Sequence, residues 1–174
     1  MSPRVAPPAV RGGDAISASV LAHQPELLAA FQRLYGTLWS HGVLDQPTKE
    51  VARLRNARVT GCGYCRNVRF AGAREQGLTE ELVALIGDDY AASDLPERHK
   101  AAIRFTDAFL GHPADVDEAT RRELLGHFSA EEIVELAAGV ALFMGFSKIA
   151  VALGQAPETM PTLIVPTPER PPER

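Results

Sequence analysis

A chain of 174 residues, 45% apolar and 23% charged, has the composition of one ordinary globular domain with room for a substantial core. A net charge of −4 and a pI near 5.7 argue against nucleic acid or an anionic membrane as partner. Two cysteines three residues apart cannot close a long loop, which excludes a secreted disulfide framework and favours a reducing, cytoplasmic setting.

Nine of the thirteen prolines lie in the first eight or the last eighteen residues. The expected organisation is therefore a non-helical arm, extended or disordered, over residues 1–13, a helical domain over 14–154 and a proline-rich tail of the same kind over 155–174. The opening stretch MSPRVAPPAVRGGDA lacks the continuous apolar run of a signal peptide. In the tail, the triplet Leu163, Ile164 and Val165 could dock on a neighbour, although such tails are more often loose.

Between the arms the apolar periodicity is helical throughout, with no strand-length alternation and no hairpin signal. A short helix is expected over residues 14–22, capped by Asp14. Pro25 opens a second, in which Leu27, Leu28, Phe31, Leu34, Tyr35 and Leu38 recur at helical spacing and Trp39 belongs to core or interface. It ends near His41 and Gly42. Asp45 caps a third, with Pro47 in its first turn, which runs to Thr60 and breaks at Gly61. One helix then carries both cysteines as far as Gly77. Thr79 caps a short helix holding Leu82, Leu85 and Ile86, and residues 87–93 form a linker. Further helices span 96–111, 117–127 with Asp117 as cap, and 129–153 behind a capping box of Ser129 and Glu132. This final helix is apolar nearly all round. Charged residues at Glu135 and Lys148 argue against a membrane span, leaving a central core helix or one sandwiched between subunits. The fold class is all-α.

Residues 48–77 hold the candidate chemistry. In a continuous helix Cys62, Cys65, Arg69, Gly72 and Ala73 share one face. Cysteines at this spacing are within reach of a disulfide, and a thiol in a first helical turn is favoured as thiolate. On the preceding helix Glu50 lies at the edge of the apolar stripe of Val51, Leu54 and Ala57. A tight turn at Gly61 would carry Glu50 toward the dithiol, to accept a thiol proton or to pair with Arg69. Zinc would need two more ligands, and neither another cysteine nor a histidine at finger-like spacing supplies them, so no cofactor is expected. Arg58 is expected in an interior or interface ion pair, and Tyr64 points away from the thiol face.

Glu50, eleven residues, then Cys62-Gly-Tyr-Cys65, in an all-helical chain, resembles the alkylhydroperoxidase D-like branch of the carboxymuconolactone decarboxylase superfamily. The resemblance is densest over residues 50–82 and extends loosely to Gly154. It implies an all-helical fold assembled as trimers or hexamers. It also implies reduction of hydroperoxides or disulfides by the cysteine pair, with electrons from a thiol or lipoyl partner protein. By the same resemblance Cys65 attacks peroxide, Cys62 resolves the sulfenic acid, and Glu50 relays protons. One position departs: Arg69 stands where the pattern has histidine, and a guanidinium can lower a thiol pKa by charge but cannot act as a base. His23, His41, His99, His112 and His127 are the available stand-ins for that relay. Helix position alone favours Cys62 as the more acidic thiol. Two other readings stay open, a decarboxylase-like lyase indifferent to both cysteines and a non-catalytic helical oligomer.

Overall fold

The computed structural model describes residues 3–9, 16, 18–112, 114, 116–154, 157 and 159–172. Its helices are α1 (Pro25–Ser40), α2 (Gln46–Thr60), α3 (Gly63–Asn67), α4 (Ala71–Glu75), α5 (Glu80–Ala84), α6 (Glu97–Leu110), α7 (Glu118–His127) and α8 (Ala130–Ala152). Two three-residue strands, β1 (Val68–Phe70) and β2 (Leu163–Val165), pair in parallel, Val68 opposite Leu163. The all-α class holds, with this one small sheet added.

Helix boundaries follow their caps. The Asp45 carboxylate accepts the Thr48 N–H at 2.8 Å, and Asp117 accepts the Thr120 N–H at 2.8 Å. Ser129 and Glu132 close the expected capping box on α8. Gly61 ends α2 at φ 68°, a left-handed conformation in which a side chain would be strained. Thr79 and Asp117 start their helices as expected. The first short helix is not the one expected. The described turn is a single 3-10 turn, Val20–His23, capped by Ser19, and the expected cap Asp14 lies outside the described residues.

Helix α2 is the axle. Every residue from Pro47 to Ala57 is buried, and its side chains reach three apolar clusters. Ala57 joins the aromatic cluster of Tyr35, Trp39, Phe70, Phe143 and Phe146. Ala52 meets Phe105, Phe128 and Val140, while Val51 and Leu54 meet Leu78, Ile86 and Ile103. Helices α6 and α8 pack along it. Its end is the exception: Arg58 is exposed rather than interior.

Helix α8 takes the place beside α2 rather than the centre. It is long and apolar enough, by length and composition, to cross a membrane, but only 39% of its most apolar window is buried within the chain. Leu136, Val140, Phe143 and Ser147 face inward, while Val134, Ile149 and Val151 are exposed.

The described residues of both arms are non-helical, and both arms dock. The Arg4 N–H donates to the Leu153 carbonyl at 2.9 Å, and its guanidinium to Ala152 at 2.7 Å. The tail lies across α1 and β1. The Gly72 N–H donates to Thr167 Oγ1 at 2.9 Å, and Ser40 Oγ donates to the Pro168 carbonyl. Strand β2 ends where Pro166, which has no N–H, follows Val165.

Candidate functional site at the dithiol

The helix expected to run unbroken through both cysteines stops after Asn67, and its backbone groups are claimed from outside. Arg53, fully buried on α2, donates from Nη1 to the Cys65 carbonyl and from Nη2 to the Val68 carbonyl, both at 2.6 Å. The Phe70 N–H donates to Glu50 Oε1 at 3.2 Å. With those groups satisfied by an ion pair and by β2, the chain crosses residues 68–70 extended at no cost in unpaired polar groups. The aromatic Phe70 and β-branched Val68 suit that conformation.

Glu50 and Arg53 form a two-toothed pair, Nε to Oε2 and Nη2 to Oε1, each at 2.7 Å. The guanidinium also stacks on Phe70, 4.8 Å from the ring centroid. Burial penalises its charge, but the Glu50 carboxylate more than compensates, and its pKa is raised. The sulfurs of Cys62 and Cys65 are 2.8 Å apart, both residues free and buried. Cys62 is the residue before α3, and its sulfur also accepts the Cys65 N–H at 3.3 Å. The hydrogen bond from the Cys65 thiol is the largest influence on Cys62. It outweighs burial and, with smaller help from that N–H, Ser147 and Arg53, brings the Cys62 thiol down to about 7. Donating to Cys62, and being buried, pushes Cys65 up. The pair thus holds one proton strongly and one weakly.

From α8, Ser147 Oγ lies 3.6 Å from Cys65 Sγ and accepts from Asn56 Nδ2 at 3.1 Å. The Asn56–Ser147–Cys65 chain is buried and links α2, α8 and the dithiol loop. A cavity of about 770 Å³ opens against Cys65. Tyr35, Tyr64, Phe70, Phe143 and Phe146 line it on the body side, and Val165 to Glu169 on the tail side. Its size and apolar lining are those of a small-molecule site. Cys62, with no exposed surface, is not among its lining residues.

Of the sequence-predicted site residues, the structure brings together Cys62 and Cys65, and ties Glu50 to their loop through Arg53 and Phe70. Arg69 goes elsewhere. Once the helix breaks at Val68, the shared face is lost. Arg69 then donates to the Glu80 carboxylate at 3.1–3.3 Å and to the carbonyls of Arg66 and Val68. Of the two expectations for Glu50, the pair with Arg69 is replaced by a pair with Arg53. Tyr64, expected to face away, lines the cavity. No histidine is among the described lining residues. Arg53, Asn56 and Ser147 were missed. Arg53 follows Glu50 by three residues, a spacing that places the two side by side on a helix and was the available signal. Nothing local marks Ser147.

The Carboxymuconolactone decarboxylase family model matches residues 25–108. An uncharacterized protein of Mycobacterium tuberculosis is 32% identical over 133 residues, 76% of this chain and 46% of that protein. The chain thus spans about half the length of this curated relative. Among solved structures, an uncharacterized peroxidase-related protein from Ralstonia eutropha JMP134, described as an alkylhydroperoxidase AhpD core, superposes with a TM-score of 0.70 at 24% identity, covering 82% of this chain and 76% of that one. The debrominase Bmp8, solved in complex with 2,3,4-tribromopyrrole, superposes with a TM-score of 0.65 at 22% identity, covering 77% and 72%.

Proposed function

The chain belongs to the carboxymuconolactone decarboxylase superfamily and has the alkylhydroperoxidase D-like fold, and from that premise we propose that it is a thiol-dependent peroxidase. The observation that carries the reading is the pair of free sulfurs 2.8 Å apart, one of them shifted toward thiolate by the other, beside a cavity large enough for an organic substrate.

In the resting pair Cys62 is the thiolate and Cys65 holds the proton. A proton shift along the sulfur–sulfur contact leaves Cys65, the sulfur lining the cavity, as nucleophile. It attacks the distal oxygen of a hydroperoxide, the O–O bond breaks, and the leaving alkoxide takes the proton from Cys62. Cys65 is then a sulfenic acid, and Cys62, again thiolate, displaces hydroxide from it, which solvent protonates to water. The products are one alcohol, one water and one Cys62–Cys65 disulfide, the two electrons having come from the dithiol. A thiol or lipoyl partner protein returns the disulfide to dithiol. Glu50 and Arg53 act by position: both oxygens of Glu50 are engaged by Arg53, and Arg53 holds the carbonyl of the nucleophile's own residue. Ser147 donates a hydrogen bond to whichever sulfur state Cys65 presents.

A second reading is favoured by the aromatic lining of the cavity and by likeness to the debrominase. The same dithiol would reduce a carbon–halogen bond of a small aromatic, yielding the dehalogenated ring, halide, a proton and the same disulfide. We further assign the exposed apolar face of α8 to contact with a second copy of the chain, and the free dithiol to a reducing, cytoplasmic compartment.

The test is a single turnover without external reductant. Reduced protein mixed with one equivalent of cumene hydroperoxide is expected to lose two titratable thiols and release one equivalent of alcohol. Cys62→Ser and Cys65→Ser should abolish disulfide formation, and Arg69→Ala should keep it within about twofold. Retention of both thiols, with bromide released from 2,3,4-tribromopyrrole instead, would move the assignment to the second reading.

A further inference from the structure

The tail forms one side of the cavity that the proposed chemistry needs. Val165, Pro166, Thr167, Pro168 and Glu169 face Tyr35, Phe70, Phe143 and Phe146 across it, with Cys65 between. Besides the Ser40 hydrogen bond to Pro168, three further contacts hold them there. Strand β2 pairs with β1, the same three residues whose carbonyl and N–H groups Arg53 and Glu50 fix. Thr167 Oγ1 accepts the Gly72 N–H. On α1, Gly36 lets the tail touch the helix backbone, since a Cβ there would overlap the backbone of Glu169 and Arg170. Beyond strand β2 the prolines fix φ and lose little entropy on ordering, which stiffens the part of the wall that has no regular secondary structure.

Resting on the peroxidase reading, we propose that residues 163–171 are a substrate-selecting wall, which makes the dithiol prefer bulky, neutral, apolar hydroperoxides over hydrogen peroxide. Hydrogen peroxide has no apolar surface to bury between the wall and the aromatic cluster and gains nothing from either. An aromatic or branched alkyl group fills the space between them, and its burial is realised only while the wall is in place. Among the described lining residues the one cation, Arg53, is already engaged by Glu50, and Glu169 at the wall disfavours anions, so the preferred substrate is uncharged.

Two substitutions outside the dithiol act on the wall from opposite directions. Gly36→Ala sits on α1, favours the helix, and forces the Glu169–Arg170 backbone away. Val165→Trp fills the cavity from the tail. For the full chain, kcat/KM for cumene hydroperoxide is expected to exceed that for hydrogen peroxide by about tenfold or more. Both substitutions are expected to bring that ratio down about tenfold, Gly36→Ala by raising KM for the bulky substrate and Val165→Trp by excluding it. Binding of cumyl alcohol, an inert stand-in, is followed in parallel by calorimetry and should weaken by a similar factor in both variants. A ratio near one in the wild-type chain, or an unchanged ratio and unchanged cumyl alcohol binding in both variants, overturns the proposal. If neither peroxide is consumed but cumyl alcohol binds and both variants lose it, the wall stands and the peroxidase reading fails.

Discussion

Helix α2 carries Lys49, Glu50, Arg53, Arg55 and Asn56 and is nevertheless buried from residue 47 to residue 57. Its packing partner α8, apolar along most of its length, leaves Val134, Ile149 and Val151 in solvent. The polar helix can be central because each charge meets a partner. Glu50 pairs with Arg53; the Lys49 ammonium meets Glu135 at 2.7 Å; Arg55 meets Asp107 at 2.6 Å and Asp88 at 2.8 Å. Asn56 donates to Ser147. Composition therefore says how readily a helix can be buried, and the partners available decide which one is. Where charge is buried and paired, the backbone it holds is fixed in a conformation that propensity alone would not choose. In this protein that backbone carries the thiols.

The comparison is broken most directly at Arg53. Arg53→Met removes the partner of a fully buried carboxylate and frees two carbonyls, and should cost about 3–5 kcal/mol in urea unfolding. Combining it with Glu50→Leu should recover part of that loss, because no buried carboxylate is then left unpaired, while the backbone groups of Cys65, Val68 and Phe70 still lack their side-chain partners. A loss below about 1 kcal/mol would mean that the pair is not sealed from water.

A smaller effect sharpens the meeting of the two helices at sulfur. Cys65→Ala removes the thiol that donates to Cys62, and the Cys62 pKa should climb from about 7 toward the ordinary value of about 8.5. The thiolate absorbance at 240 nm reports it. The sign for stability follows: a depressed thiol pKa adds stability above the unfolded value, and that stability is lost as pH falls through the folded one. The reduced protein should therefore gain stability between about pH 7 and about pH 8.5, and Cys65→Ala should flatten the slope. An unchanged pKa would assign the effect to the Arg53 charge.

The smallest effect is expected on the outer face of α8. Val134→Glu, at a residue 69% exposed, should change the stability of the single chain by no more than about 0.5 kcal/mol. It should nonetheless shift sedimentation to a smaller species if this face joins copies. Unchanged sedimentation would leave the apolar face without that role.

Most helix boundaries were legible in the sequence because caps and breakers are local: Asp45, Gly61, Thr79, Asp117 and Ser129 stand where the structure uses them. The dithiol was legible as a spacing. Its surroundings were not. The break at Val68 depends on a guanidinium fifteen residues upstream and on a strand partner from the tail, neither visible in a window of local periodicity. That single break also moved Arg69 from the thiol face to Glu80. The centrality of α2 was hidden for a related reason: helical patterning ranks helices by apolar content, and paired charge is invisible to it.

The meeting of the tail with the dithiol loop joins residues as far apart as Gly72 and Thr167, 95 positions along the chain. Closing so long a loop is entropically slow, and the α2–α8 pairing that seats Ser147 beside Cys65 spans nearly as many positions, 91 between Asn56 and Ser147, whereas each helix forms from near neighbours. A refolding chain therefore assembles its helices while the reactive sulfurs are still unshielded, and shelters them last. Refolding yield should accordingly depend on how oxidising the buffer is during that interval, with wrong thiol chemistry, rather than wrong helix packing, as the principal loss.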